Sequence, residues 1–85
     1  MSPYIKEKYR KEIDLGRIPD SPGELNYLIT TTILDYLGGE GAVVIYSDFN
    51  EVMGVLECVK QELYRRMIAK YEDEKCELNG DVYNE

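Results

Sequence analysis

Between Asp48 and Lys75 the chain contains no proline, and Val52, Leu56, Val59 and Leu63 recur at 4-3-4 spacing. That spacing is the apolar seam of a coiled-coil-like helix, and Met53, Met67, Ile68 and Tyr71 widen it. Ser47 or Asp48 offers a cap, and Asn79-Gly80 offers a stop. A helix from Asp48 to Lys75 spans about 42 Å. A globule of 85 residues has a diameter of about 30 Å. The helix must therefore overhang, kink near Gly54, or pack along another chain. The expectation is a homo-oligomer, most simply a two-fold dimer.

A second helix is announced by Ser21-Pro22-Gly23-Glu24. Serine at the cap, proline next and glutamate three residues on form a capping box. The helix should run from Pro22 to about Leu37. Leu25, Leu28, Ile29, Thr32, Ile33 and Tyr36 share one face at 100° per residue, while Tyr27 and Leu34 lie opposite. Ile29 to Ile33 are all β-branched, which favours a strand; the cap and the stripe decide for helix. Gly38-Gly39-Glu40-Gly41 ends it. Upstream, Ser2-Pro3 reads as a cap for a short helix from Tyr4 to about Ile13, with Ile5, Tyr9 and Ile13 on one edge. Gly16 to Gly23 reads as a linker with a turn. Ala42 to Tyr46 is apolar and β-branched, but a lone strand has no partner, so it reads as a buried connection. The fold class is all-α. A short N-terminal helix precedes a two-helix antiparallel hairpin in a single domain: residues 1–20 an arm, 21–78 the helical core, 79–85 an acidic tail.

Composition narrows the chemistry. There is no histidine, which removes Ser-His and Cys-His nucleophiles and every His-containing metal site. Two cysteines make neither a zinc site nor a disulfide scaffold. On one helix Cys58 and Cys76 would stand about 27 Å apart, too far to bridge. The charged start lacks the apolar core of a signal peptide, and Ala42 to Tyr46 is far too short to span a bilayer. The reading is a soluble cytoplasmic protein with free thiols and no membrane contact. With a net charge of −7, direct nucleic-acid binding is unfavourable, because phosphate backbones call for clustered Lys and Arg. Residues 1–20 carry net +1 and residues 70–85 net −4.

The candidate site lies at the end of the long helix. On a regular helix the seam positions after Leu63 are Arg66 and Lys70, so an apolar stripe turns cationic. Glu62 lies three residues before Arg65 and four before Arg66, in the favourable order for ion pairs. Either these form a solvated salt-bridge ladder, or two guanidiniums fork around a phosphate or carboxylate. Eight tyrosines against one Phe and no Trp point to rings with a polar tip at contacts. Tyr27, Tyr64 and Tyr71 lie off their seams. The Asn79-Gly80 turn can bring Asp81 and Tyr83 back along the last helical turns. The candidate binding residues are therefore Glu62, Tyr64, Arg65, Arg66, Tyr71, Asn79, Asp81 and Tyr83, with Glu62 the acceptor for Arg66. The bland reading of the same group is a C-terminal clasp. Glu57, Glu62, Glu72 and Asp73 raise a second chemistry, carboxylates on a helix holding magnesium for nucleotide hydrolysis. Glu57 and Glu62 lie about 140° apart around the helix and do not converge. No catalytic residue, metal ligand or cofactor is assigned.

The strings Pro22-Gly23-Glu24-Leu25-Asn26-Tyr27, Glu57-Cys58-Val59-Lys60, Glu62-Leu63-Tyr64-Arg65-Arg66, Tyr71-Glu72-Asp73-Glu74-Lys75 and Asn79-Gly80-Asp81-Val82-Tyr83 resemble a family of small uncharacterised proteins carried by phages and prophages. The resemblance covers nearly all of the chain beyond residue 20, but not Ala42 to Tyr46. It implies a mobile-element context and brings no activity. The functional expectation is a non-enzymatic binding module that contacts a host or phage protein or sequesters a small anionic ligand. A metal-dependent nucleotide hydrolase is the alternative.

Overall fold

The computed structural model describes residues 1–83. Every regular element among them is helical and no strand is present, as the capping box and the seam predicted. The chain forms two compact units, Met1–Ile45 and a second that begins at Tyr46.

The first unit starts with an extended strap. Ser2 Oγ accepts the Tyr4 amide at 3.1 Å, and the Ile5 amide donates to the Pro3 carbonyl at 2.8 Å. Ser2 is thus spent on a local turn and caps no helix. The first helix, α1, runs Glu7–Asp14 with Lys6 at its N-cap, three residues later than Tyr4. Arg10 Nε donates to the Ile5 carbonyl at 2.8 Å, tying the strap to α1. Gly16 ends α1 at φ +107°. Its amide bonds the Ile13 carbonyl and the Arg17 amide bonds the Glu12 carbonyl, the paired bonds of a Schellman turn.

The second helix, α2, is Pro22–Tyr36. Ser21 Oγ accepts the Glu24 amide at 3.2 Å. The returning Glu24 carboxylate takes the Asp20 amide at 3.1 Å, one residue before the position a strict capping box uses. The β-branched run is helical. Thr31 and Thr32 turn their hydroxyls onto the Leu28 carbonyl at 3.1 and 2.8 Å, and Thr30 bonds Asn26 Oδ1 at 2.9 Å. The threonine hydroxyls are satisfied one turn back, which removes the conflict with helix. A second Schellman turn closes α2: the Gly38 amide bonds the Asp35 carbonyl and the Gly39 amide bonds the Leu34 carbonyl.

Packing within this unit differs from the expected stripe. Ile13 is its one buried apolar residue among those described, at 3% exposure. Leu25, Ile29 and Tyr36 stay exposed, and α2 meets α1 along the edge that holds Tyr27. The buried polar residue is Glu24. Its Oε1 lies 2.8 Å from an Arg17 guanidinium nitrogen, and Arg17 Nε lies 2.7 Å from Glu12. That second contact is an ion pair out of line for a hydrogen bond. Burial acts to lower the Arg17 pKa, but the hydrogen bond and charge of Glu24, followed by the charge of Glu12, together hold it above its ordinary value.

Residues 42–45 hold no regular structure, and the expected buried connection is corrected, since Val43, Ile45 and Tyr46 are exposed. The second unit is one run of helical backbone. It comprises α3 (Tyr46–Leu63), a π-helical turn (Tyr64–Ile68) and α4 (Ala69–Asn79). The run starts two residues before Asp48 and ends four after Lys75. It passes Gly54 as regular α-helix, and the irregularity falls ten residues later. At the π turn the Ala69 amide bonds the Tyr64 carbonyl, five residues back. Gly80, at φ +91°, ends α4 with its amide on the Cys76 carbonyl. No residue of α3, the π turn or α4 is buried.

Candidate functional site, a π turn in the long helix

A π turn takes one more residue per turn than an α turn. That single residue rephases everything after it by about 100°. Without it, Arg66 and Lys70 would follow Leu63 on the seam. With it, Met67 and Tyr71 follow, and Leu78 comes two turns later. The expected cationic turn of the stripe is corrected by the structure: the apolar line Phe49, Val52, Leu56, Val59, Leu63, Met67, Tyr71 continues through the turn. Its members from Leu56 to Tyr71 are between 36% and 64% exposed. A shallow apolar groove of the same helix is lined by Cys58, Val59, Glu62, Leu63, Arg66 and Met67.

The same extra residue sets the polar side. Tyr64 and Glu72 are eight apart, which on a regular α-helix separates them by about 80°. The π turn brings them onto one face, and the Tyr64 hydroxyl donates to Glu72 Oε1 at 2.7 Å. The Tyr64 phenol is pushed up by that hydrogen bond first, then by the Glu72 charge and by desolvation, with smaller contributions from Asp73 and Tyr83.

Glu62 takes Arg65 in a two-pronged pair, with Nε at 3.0 Å and a terminal nitrogen at 2.9 Å. Both partners are well exposed, so the pair is of the weak surface kind. The assignment of Glu62 to Arg66 is corrected, since the glutamate pairs with Arg65 instead. Arg66 makes no hydrogen bond or ion pair among the described residues. The two guanidiniums do not converge into a fork. Tyr71 is overlain by the Lys75 ammonium, 5.6 Å from the ring centre. Asn79 is the last residue of α4, and no side-chain bond ties it to the others. Asp81 Oδ1 accepts the Tyr83 amide at 2.9 Å. Asp81 also acts on Cys76, whose thiol pKa is raised by burial first and then by the charge and hydrogen bond of Asp81. So the turn does carry Asp81 back to the last turn of α4. Positions 84 and 85 of the expected acidic tail lie outside the described residues.

Glu72 is the site residue that the binding set omitted. The signal for it was present: after Leu63 the apolar spacing becomes 4-4-7, where a regular seam calls for 3. Among the described residues no three His, Cys, Asp or Glu side chains group as a metal site, so Glu57, Glu62, Glu72 and Asp73 do not form one. Among the described residues no helix is long and apolar enough to cross a membrane.

A family model, the domain of unknown function DUF6899, matches residues 1–82. The chain belongs to the DUF6899 family. No curated protein and no solved structure matches it. The match spans both units of the DUF6899 chain, from the strap through the π turn to the Asp81 return.

Proposed function

We propose that this DUF6899 protein is a non-enzymatic contact module whose long helix binds another protein surface. One observation carries the reading: seven apolar side chains stay in line across 23 residues, through a change of helix type, and none of them is buried. An apolar stripe of that length on a water-facing helix has a covering partner in the working state. A helix engaged in this way reads as a helix-in-groove or helix-on-helix contact. The resemblance to proteins carried by phages and prophages supports a mobile-element setting with a host or phage protein as partner, and two free cysteines suit a reducing cytoplasm. Sequestration of a small anion has less support, because Arg65 is committed to Glu62.

Hydrogen exchange on the full chain tests the reading. If the stripe is a contact face, amides of residues 46–79 are protected beyond what a solvated helix gives. Leu56→Glu then removes that protection while α1 and α2 keep theirs. Equal and rapid exchange in both proteins defeats it. Magnesium-dependent hydrolysis of nucleotides that is lost in Glu62→Gln would instead favour the hydrolase.

A further inference from the structure

We infer that the surface covering the stripe is the same stripe of a second copy, running antiparallel, with Val52 of one chain against Leu63 of the other. This rests on the contact-module reading and specifies its partner. The heptad fixes which residues meet. Phe49, Leu56 and Leu63 hold the first core position of successive heptads, and Val52 and Val59 the second; the π turn hands that second position to Met67. In a parallel pair each layer joins like with like, leucine on leucine and valine on valine. Leucine at the first position with β-branched valine at the second is also the reverse of the parallel-dimer preference. In an antiparallel pair each layer joins a first position to a second. Leu56 then meets Val59, Val52 meets Leu63, and Phe49 meets Met67. Each layer combines a larger and a smaller side chain, and the two-fold repeats all three.

Charge selects the same direction. Residues 64–71 hold Arg65, Arg66 and Lys70 with no acid, net +3. Residues 46–53 hold Asp48 and Glu51 with no base, net −2. Residues 72–79 carry net −3. A parallel pair in register sets +3 on +3 and −3 on −3. The antiparallel register set by the apolar layers lays 64–71 along 46–53 of the other chain, where opposite signs meet. Arg66, without an intramolecular partner among the described residues, then faces the acidic start of the opposite helix.

The test uses the full chain with Cys58→Ser and Cys76→Ser, checked for helix content by circular dichroism. Sedimentation equilibrium should give a species of twice the 9.8 kDa protomer, and Leu56→Glu should weaken it by roughly a hundredfold or more, since both copies lose a buried leucine. In a glutathione redox buffer, the double variant Val52→Cys with Leu63→Cys should form a covalent dimer, and either single variant should not. Disulfides in the single variants mean a parallel pair and overturn the inference. A monomer whose helix amides are nonetheless protected overturns it too, while sparing the contact-module reading. A monomer with an unprotected helix removes both.

Discussion

The Tyr64 hydroxyl donates to Glu72 Oε1 at 2.7 Å across a π turn, a pairing that eight residues of regular α-helix would not allow. Because the bond favours the neutral phenol, Tyr64 titrates above its ordinary value, the hydrogen bond to Glu72 being the largest cause. A raised phenol pKa means that the bond stabilises the folded helix at all pH values below the ordinary tyrosine range. The contribution is lost as the pH rises through the higher folded value.

Glu72→Gln should therefore lower the Tyr64 titration midpoint. The amide can still accept the bond, but the negative charge that opposes tyrosinate is gone. Eight tyrosines overlap in absorbance, so the Tyr64 signal is taken as the difference between each protein and its Tyr64→Phe partner. An unchanged midpoint would show that Glu72 does not govern Tyr64.

Two glycines in helices should respond oppositely to alanine. A Cβ on Gly54 meets nothing within 4 Å, so Gly54→Ala should stabilise the long helix by about 0.5–1 kcal/mol through the backbone entropy alone. A Cβ on Gly23 lies 3.1 Å from both Ile5 Cγ2 and the Ser2 carbonyl, tighter than ordinary contact. Gly23→Ala should lift the strap off α2, shown by faster exchange of the Tyr4 and Ile5 amides and by the absence of the gain seen at Gly54. A gain at both positions would mean that the strap yields freely.

Much of this architecture is legible in the sequence because it is local. Ser21 and Glu24 announce α2 through bonds that span at most four residues. Gly38 and Gly39 end it through bonds that span three and five residues. The seam from Val52 to Leu63 needs only the helical period. What escaped depends on a partner elsewhere in the chain or on a change of period. Tyr27 reads as an apolar residue on the wrong face until Asp14 is placed within 3.0 Å of its hydroxyl. Arg66 reads as a seam cation only while the helix is assumed regular. The start of α1 was misplaced because Ser2 has two uses, a cap or a turn, and the choice rests on contacts of the strap with Arg10 and Asn26.

The return of the tail onto α4 can be read through Cys76. Its thiol is raised by burial, then by Asp81, so the thiolate fraction at neutral pH is suppressed. Asp81→Asn, in a Cys58→Ser background, should lower the thiol pKa and speed alkylation at neutral pH, with the residual suppression due to burial. Tyr83→Phe should leave the rate unchanged, because Asp81 is bonded to the Tyr83 amide and not to its ring. Equal alkylation rates in Asp81→Asn and its parent mean that the tail does not sit against the helix.

The π turn itself can be removed by deleting Arg66, and the outcome separates its two possible roles. The turn holds one residue more than an α turn, so a deletion within it lets Leu63 to Ala69 close as regular α-helix. The residues on either side then keep their present phase. Met67, Tyr71 and Leu78 stay in line with Leu56 and Leu63, and Tyr64 stays on the face of Glu72, now seven positions away, close to two full turns. If the turn serves only to keep the stripe continuous, the deletion should preserve helix content and the raised Tyr64 titration, should leave a dimer weakened only by the loss of the Arg66 charge, and should slow amide exchange at Ala69, whose five-residue hydrogen bond is replaced by a four-residue one. If the widened turn with Arg66 is itself a binding surface for a third molecule, the deleted protein should fold and keep that weakened dimer yet lose binding of the third molecule. Loss of the dimer with helix content intact contradicts the phase argument, because that argument requires the stripe to survive the deletion.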